Sequence, residues 1–155
     1  MKGEEVVPVP DIAEKCEIAP DALSATVTMR TDVNFHNVAP VNGRAVTTDD
    51  LTYSWKRMVD PKNATSSQVS FVDNVTYPDS KTMKFTFKTP NAAFLEMLAD
   101  ANLLWVMPKE AESGGFDPTK VSIGSGPWVF GSYVPSSSIK FTKNAAWPNK
   151  CYPLR

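Results

Sequence analysis

Residues Ala45 to Pro61, A-V-T-T-D-D-L-T-Y-S-W-K-R-M-V-D-P, form the clearest helix signal in the chain. Thr47 stands as N-cap, with Asp50 three residues on in capping-box position; Asp suits that place less well than Glu or Gln. Asp49 and Asp50 put negative charge in the first turn, and Lys56 and Arg57 put positive charge in the last. Both ends therefore complement the helix dipole. Leu51, Trp55 and Met58 fall at i, i+4 and i+7, one apolar stripe. Asp60-Pro61 ends the helix, because the residue before proline is pushed out of the α region. A helix with one apolar side needs a partner, and the rest of the chain supplies strands to cover it.

The strands follow from alternation. Asp11 to Ile18 reads as a turn of helix or a strand entry, and Ala19-Pro20-Asp21-Ala22 as a turn. From Ser24 to Arg30, Ala25, Val27 and Met29 face one way and Thr26, Thr28 and Arg30 the other, a half-buried strand. Val33 to Phe35 extends it or starts its partner, and Asn42-Gly43 marks a tight turn in the loop from His36 to Arg44. Lys62 to Gln68 is polar and expected to be mobile. Val69 to Tyr77 and Thr82 to Lys88 make a hairpin over Pro78-Asp79-Ser80, with Met83, Phe85 and Phe87 inward. Asn91 is placed to cap a second short helix whose buried face is Phe94, Leu95 and Leu98. Leu103 to Met107 reads as a buried strand, and Pro108 to Glu112 as one helical turn stopped by Gly114-Gly115. Trp128 to Val134 and Ser138 to Lys143 form a last hairpin over Pro135-Ser136-Ser137. The expected fold is α+β: a mostly antiparallel sheet with two short helices. The 155 residues are most simply one domain, with residues 1–8 and 149–155 frayed.

Bulk chemistry excludes several classes. The formal net charge is -1, so there is no electrostatic case for nucleic acid or an anionic membrane. No apolar run approaches the ~18 residues of a membrane helix. The N-terminus M-K-G-E-E-V-V-P lacks the apolar core of a signal peptide, so on export such a segment would have been removed. Cys16 and Cys151 read as two unpaired thiols; a single disulfide tying the termini is the alternative. Asn63-Ala64-Thr65 and Asn74-Val75-Thr76 match the N-glycosylation sequon, a pattern short enough to recur by chance.

Candidate chemistry is thin. His36 is the only histidine, so any Ser-His-Asp or Cys-His arrangement would have to use it; beside Phe35 and Asn37 it reads as a hydrogen-bonded structural residue. Gly124-Ser125-Gly126-Pro127 lacks the Lys-Ser/Thr of a Walker motif and leads into a strand, so it is a turn and not a phosphate loop. Asp49 and Asp50 point about 100° apart on a helix and do not converge on one atom. Trp55 and Trp105 lie in apolar patterns and are expected in the core. No catalytic, cofactor-binding or metal-ligating residue is nominated, and no cofactor is expected.

Four segments, in order, carry a family resemblance. Pro10–Leu23, P-D-I-A-E-K-C-E-I-A-P-D-A-L, is similar to P-D-L-A-E-S-W-E-x-S-x-D-G-L. Val33-Asn34-Phe35-His36, followed by Val46 to Arg57, resembles V-x-F-H-D-G-x-P-V-T-A-E-D-V-x-[FY]-S-W-x-R. Pro90 through Leu98 and then Pro108-Lys109-Glu110 match P-x-x-x-F-L-x-x-L and V-P-K-E. Gly124 to Trp128 is similar to G-T-G-P-[YF]. Together, over about residues 8 to 148, they resemble the family 5 extracellular solute-binding proteins, the oligopeptide, dipeptide and nickel receptors of ABC importers. Cys16 stands where that family has Trp, Ala22 replaces a turn glycine, and P-V-N-G-R is inserted after His36.

The resemblance implies part of the first lobe of a periplasmic binding protein type II-like fold, chiefly its small accessory subdomain. It further implies non-catalytic capture of peptides or similar solutes, a membrane permease as partner, a second lobe absent from this chain, and a periplasmic or extracellular, membrane-associated location. No ligand-binding residue transfers from it. On this basis the chain is expected to fold alone and to bind peptide weakly or not at all. Two other classes stay open: a stand-alone interaction module with an exposed apolar patch, and a small hydrolase that the substitution His36→Ala would disable.

Overall fold

The computed structural model describes residues 11–100 and 103–147. In chain order the elements are β1 (Ala13–Ile18), β2 (Ser24–Met29), α1 (Thr48–Val59), β3 (Val72–Thr76), β4 (Thr82–Phe87), α2 (Phe94–Leu98), β5 (Trp128–Val134) and β6 (Ser138–Lys143). Two single 3₁₀ turns, Ser66–Val69 and Lys109–Ala111, punctuate them. The fold is α+β with antiparallel sheets. The chain divides into two compact units, one of Met1–Arg30 with Trp55–Trp105 and one of Thr31–Ser54 with Val106–Arg155, the division falling inside α1.

The first unit holds a four-stranded sheet in the order β1-β2-β4-β3, every neighbour antiparallel. Alternation decides its buried face: Ala25 and Met29 of β2 and Met83, Phe85 and Phe87 of β4 are all buried. Phe94 of α2, with no exposed surface, stands edge-on to Phe85 and Phe87 at centroid distances of 4.7 and 4.8 Å and to Phe71 at 6.0 Å. Trp55 meets Phe85 edge-on at 5.2 Å. Such offset aromatic contacts add to simple burial, so this cluster is the densest energetic feature of the unit. The turn before β2 closes with Ala22 N–H donating to Ala19 O at 2.8 Å. It holds Ala22 at φ 52°, a left-handed conformation that costs a residue with a Cβ about 1–2 kcal/mol.

Several local expectations differ from the structure. β3 starts at Val72 because Val69 belongs to the 3₁₀ turn before it. Within the Lys62–Gln68 connection a 3₁₀ turn begins at Ser66. Asn63 accepts from the Thr65 N–H at 3.1 Å and its hydroxyl at 2.9 Å, and its amide donates to Arg57 O. Asn91 does not cap α2; its side chain accepts from Ala93 N–H in the turn before, and the helix begins at Phe94. Leu103 to Met107 is not a strand. Leu103 N–H closes a turn onto Asp100 O, and Met107 N–H is taken at 2.8 Å by the Ser54 hydroxyl. With its amides claimed by a turn and a side chain, the run has no ladder to join. Trp105, expected in the core, is 69% exposed.

In the second unit, Asn34 and Ala45 form an antiparallel bridge, flanked by Phe35 N–H to Arg44 O and Val46 N–H to Val33 O, both 3.0 Å. Gly43 N–H reaches His36 O at 3.2 Å, so the return runs through residues 37–42, and Arg44 N–H closes onto Val41 O at 3.3 Å over Asn42 and Gly43, whose φ of 53° and 72° are of the kind Asn and Gly accept. The Ala39–Pro40 bond is cis. β5 and β6 pair as a separate two-stranded antiparallel ribbon.

Candidate functional site

A dense polar constellation among the described residues lies in the second unit, around the start of α1. Thr47 is its N-cap, and Asp50, at the third helical position, reaches back to accept the Thr47 N–H at 2.8 Å. That is half of a capping box. The Thr47 hydroxyl also donates to the Asp50 carboxylate, at 3.0 Å. Asp50 is buried completely, which a capping role alone does not require. Its charge is met by Arg44, whose guanidinium forks onto both carboxylate oxygens at 2.6 and 2.8 Å. Lys109 N–H adds a further bond at 2.9 Å. The other edge of the Arg44 guanidinium forks onto Glu110 at 2.6 and 2.7 Å, and its Cζ lies 5.2 Å from the centre of the Phe35 ring. Arg44 thus bridges two carboxylates, using the planar donor pattern that Lys cannot reproduce.

The electrostatics follow from this geometry. Burial by itself would push the Asp50 carboxyl up. The bonds from Arg44, Lys109 N–H and Thr47 N–H outweigh it and hold the group below the usual carboxylate range. The Arg44 bond likewise lowers Glu110, and the two carboxylates push the guanidinium above its ordinary value. Asp50 receives five donors, one more than the roughly four lone-pair positions a carboxylate offers. It has no position left for a ligand, a metal or a transferable proton. Among the described residues no group of three or more His, Cys, Asp or Glu could hold a metal ion. Asp49 turns away from Asp50 and pairs with Lys109 at the surface, where such a pair contributes little.

His36 forms a second, smaller knot. It is buried; Nδ1 accepts from Gly124 N–H at 3.3 Å, and Nε2 lies 3.0 Å from Gly126 O, which it can only donate to. Its backbone N–H reaches Gly124 O at 2.8 Å. Both ring nitrogens are occupied by backbone, so the ring pins the Gly124–Pro127 turn, and that turn feeds β5. Asn144 amide joins it at Gly126 O, 3.0 Å away. Trp128 is 54% exposed and Trp55 buried. Cys16 is a free thiol, half-buried, and burial pushes it up; Cys151, and any pairing with it, lies outside the described residues, as do residues 1–8 and 149–155.

Sequence patterns did not expose Arg44 or Glu110. The signal available was indirect: Glu110 belongs to Pro108-Lys109-Glu110, one of the segments that carry the resemblance. The structure brings those segments together. Val33–His36, the Val46–Leu51 helix start, Pro108–Glu110 and Gly124–Trp128 are tied to one another by the Arg44 and His36 bonds. Each of these contacts is made within the chain's own backbone and side chains.

The family described as bacterial extracellular solute-binding proteins, family 5 Middle, matches residues 7–153. The dipeptide-binding protein DppE of Bacillus subtilis (strain 168) is 27% identical over 96% of this chain and 30% of its own length. The solved structure of MoaA from A. tumefacien R10, in complex with mannopinic acid, is 30% identical with a TM-score of 0.76, over 88% of this chain and 27% of that one. DppA from Helicobacter pylori, solved with the peptide STSA, is 24% identical over 88% of this chain and 30% of that one; its TM-score of 0.75 speaks for a common fold. The chain therefore spans about a third or less of the length of these proteins. With the family matched across nearly all of its residues, the chain belongs to the family 5 bacterial extracellular solute-binding proteins.

Proposed function

We propose that this chain is the scaffold portion of a solute receptor for an ABC importer, in which the whole receptor captures peptides or similar small solutes outside the cytoplasm and passes them to a membrane permease. The family match over residues 7–153 carries this reading. Members of the family are non-catalytic transport components, and the saturated Asp50 carboxylate and doubly bonded His36 ring suit a support better than a site. Ligand would lie against a second lobe that this chain does not include. Two of the relatives named above, the dipeptide-binding protein and the mannopinic acid complex, point to small polar solutes.

Isothermal titration tests it. The product of the whole reading frame containing this chain should bind members of a di- to pentapeptide library with micromolar affinity, and the 155 residues alone should not. Micromolar binding by the 155 residues alone would overturn the division of labour. A full product indifferent to every peptide and small polar solute would overturn the receptor reading.

A further inference from the structure

The loop from His36 to Arg44 carries the inserted P-V-N-G-R, by which this chain departs from its family. Of the nine asparagines only Asn42 precedes a glycine. Only there can the next backbone nitrogen reach a side-chain amide with no side chain of its own in the way. Asn42 is exposed, and its φ of 53° is one that Asn adopts more readily than most residues. The Gly43 N–H donates to His36 O at 3.2 Å, and the Arg44 N–H to Val41 O at 3.3 Å. Both bonds are long for N–H···O. The Asn42 side-chain amide donates to Pro40 O at 3.0 Å. Directly after this turn stands Arg44, whose guanidinium bridges Asp50 and Glu110.

We propose that Asn42-Gly43 is a self-modification site, at which the Gly43 nitrogen attacks the Asn42 side chain when this turn opens, and that the product unseats Arg44 from its two carboxylates. The Gly43 nitrogen gives its proton to water or hydroxide and bonds to Asn42 Cγ. The Cγ–Nδ2 bond breaks, and Nδ2 takes up a proton and leaves as ammonia. A five-membered imide remains, and water opens it at either carbonyl. Cleavage between the nitrogen and Cγ leaves an aspartyl residue. Cleavage between the nitrogen and the Asn42 main-chain carbonyl carbon leaves an isoaspartyl residue. Water is the only co-reactant, and nothing is oxidised or reduced. In the closed turn the Gly43 N–H is engaged by His36 O and the Asn42 amide by Pro40 O, so attack waits until both bonds part. The imide has no N–H to return to His36 O. The isoaspartyl product carries an extra methylene in the main chain, so the turn cannot close at its old length and Arg44 is carried out of place. The reaction runs one way, and the share of modified chains records how often the turn has opened.

The test ages the 155-residue chain in mildly alkaline buffer beside a peptide of residues 36–44, and follows both by digestion and mass analysis. Position 42 should gain the mass difference of amide to acid ahead of Asn63 and Asn74. In the folded chain the reaction should run at least about tenfold slower than in the peptide, because the turn must open first. Arg44→Met, under conditions where circular dichroism shows it folded, should speed the reaction at least about threefold by loosening the turn. Isoaspartyl chains, separated by chromatography, should exchange hydrogen faster at the Thr47 and Lys109 amides, which donate to Asp50. Asn42→Asp brings the same charge with an ordinary main chain, and its exchange at these amides should match the parent. The proposal fails if position 42 stays intact while the peptide reacts, or if it reacts as fast in the fold as in the peptide. It fails equally if Arg44→Met leaves the rate unchanged, if the isoaspartyl chains exchange like the parent, or if Asn42→Asp exchanges as fast as they do.

Discussion

Arg44→Met is the most informative single change. Asp50 keeps no exposed side-chain surface, while Arg44 and Glu110 are 28% and 24% exposed. Removing the guanidinium takes two charge-assisted bonds from Asp50 and two from Glu110. Asp50 is left with three neutral donors: Thr47 N–H, the Thr47 hydroxyl and Lys109 N–H. Breaking a buried pair from one side costs about 3–5 kcal/mol, because a desolvated charge stays behind. The Glu110 arm is more open to water and contributes under about 1 kcal/mol. Water entering where Arg44 stood offsets part of the Asp50 term, so the expected loss is about 3–4 kcal/mol, a large share of the ~5–15 kcal/mol of a typical domain. Urea unfolding followed by circular dichroism measures it, and native-state hydrogen exchange at the Thr47 and Lys109 amides localises it. Arg44→Met/Asp50→Asn should lose about 2 kcal/mol less than the sum of its single changes, since the stranded charge is gone. A cost below about 1 kcal/mol, or strict additivity, would refute the claim that the network is desolvated.

Acid should act through the same group. Because the folded Asp50 and Glu110 carboxyls sit below their ordinary values, their stabilisation is present above about pH 4 and is lost as pH falls through the folded values. In Arg44→Met the burial of Asp50 dominates, so acidification toward pH 4 should already relieve that variant, whereas the parent begins to weaken only below about pH 4. Phe94→Ala removes a ring with no exposed surface that touches three other phenylalanine rings. It should cost about 3–5 kcal/mol in urea unfolding; a loss under about 1 kcal/mol would show that the cavity collapses freely. Ala22→Gly relaxes the left-handed turn at φ 52° and should raise stability by up to about 1 kcal/mol, read as a higher melting temperature. A lower melting temperature would mean that chain entropy outweighs the strain.

Much of the architecture was legible in the chain itself. Thr47 and Pro61 bound α1 where capping and the pre-proline restriction put its ends, and Asn42-Gly43 made the turn it advertised. The Met83-Phe85-Phe87 alternation went inward as written. These are short-range signals, settled by a residue and its neighbours within a turn or a strand. Leu103 to Met107 failed because an apolar run does not say whether a ladder has room for it; here Asp100 and Ser54 took its end amides first. Alternation at Ile139 and Phe141 gave the strand but not its exposure.

By itself the sequence determined the helix, the β3–β4 and β5–β6 hairpins and, through four spaced segments, the family; the pairing of β2 with β1 and β4 came only with the fold. Only tertiary structure decided that Asp50 is a buried charge and not merely a cap, that Arg44 bridges it to Glu110, and that His36 holds the Gly124–Pro127 turn. The reason is separation: Arg44 and Glu110 stand 66 positions apart in the chain, and His36 and Gly126 stand 90 apart. No periodicity of 2 or 3.6 spans such distances, so those contacts exist only once the chain has come back on itself.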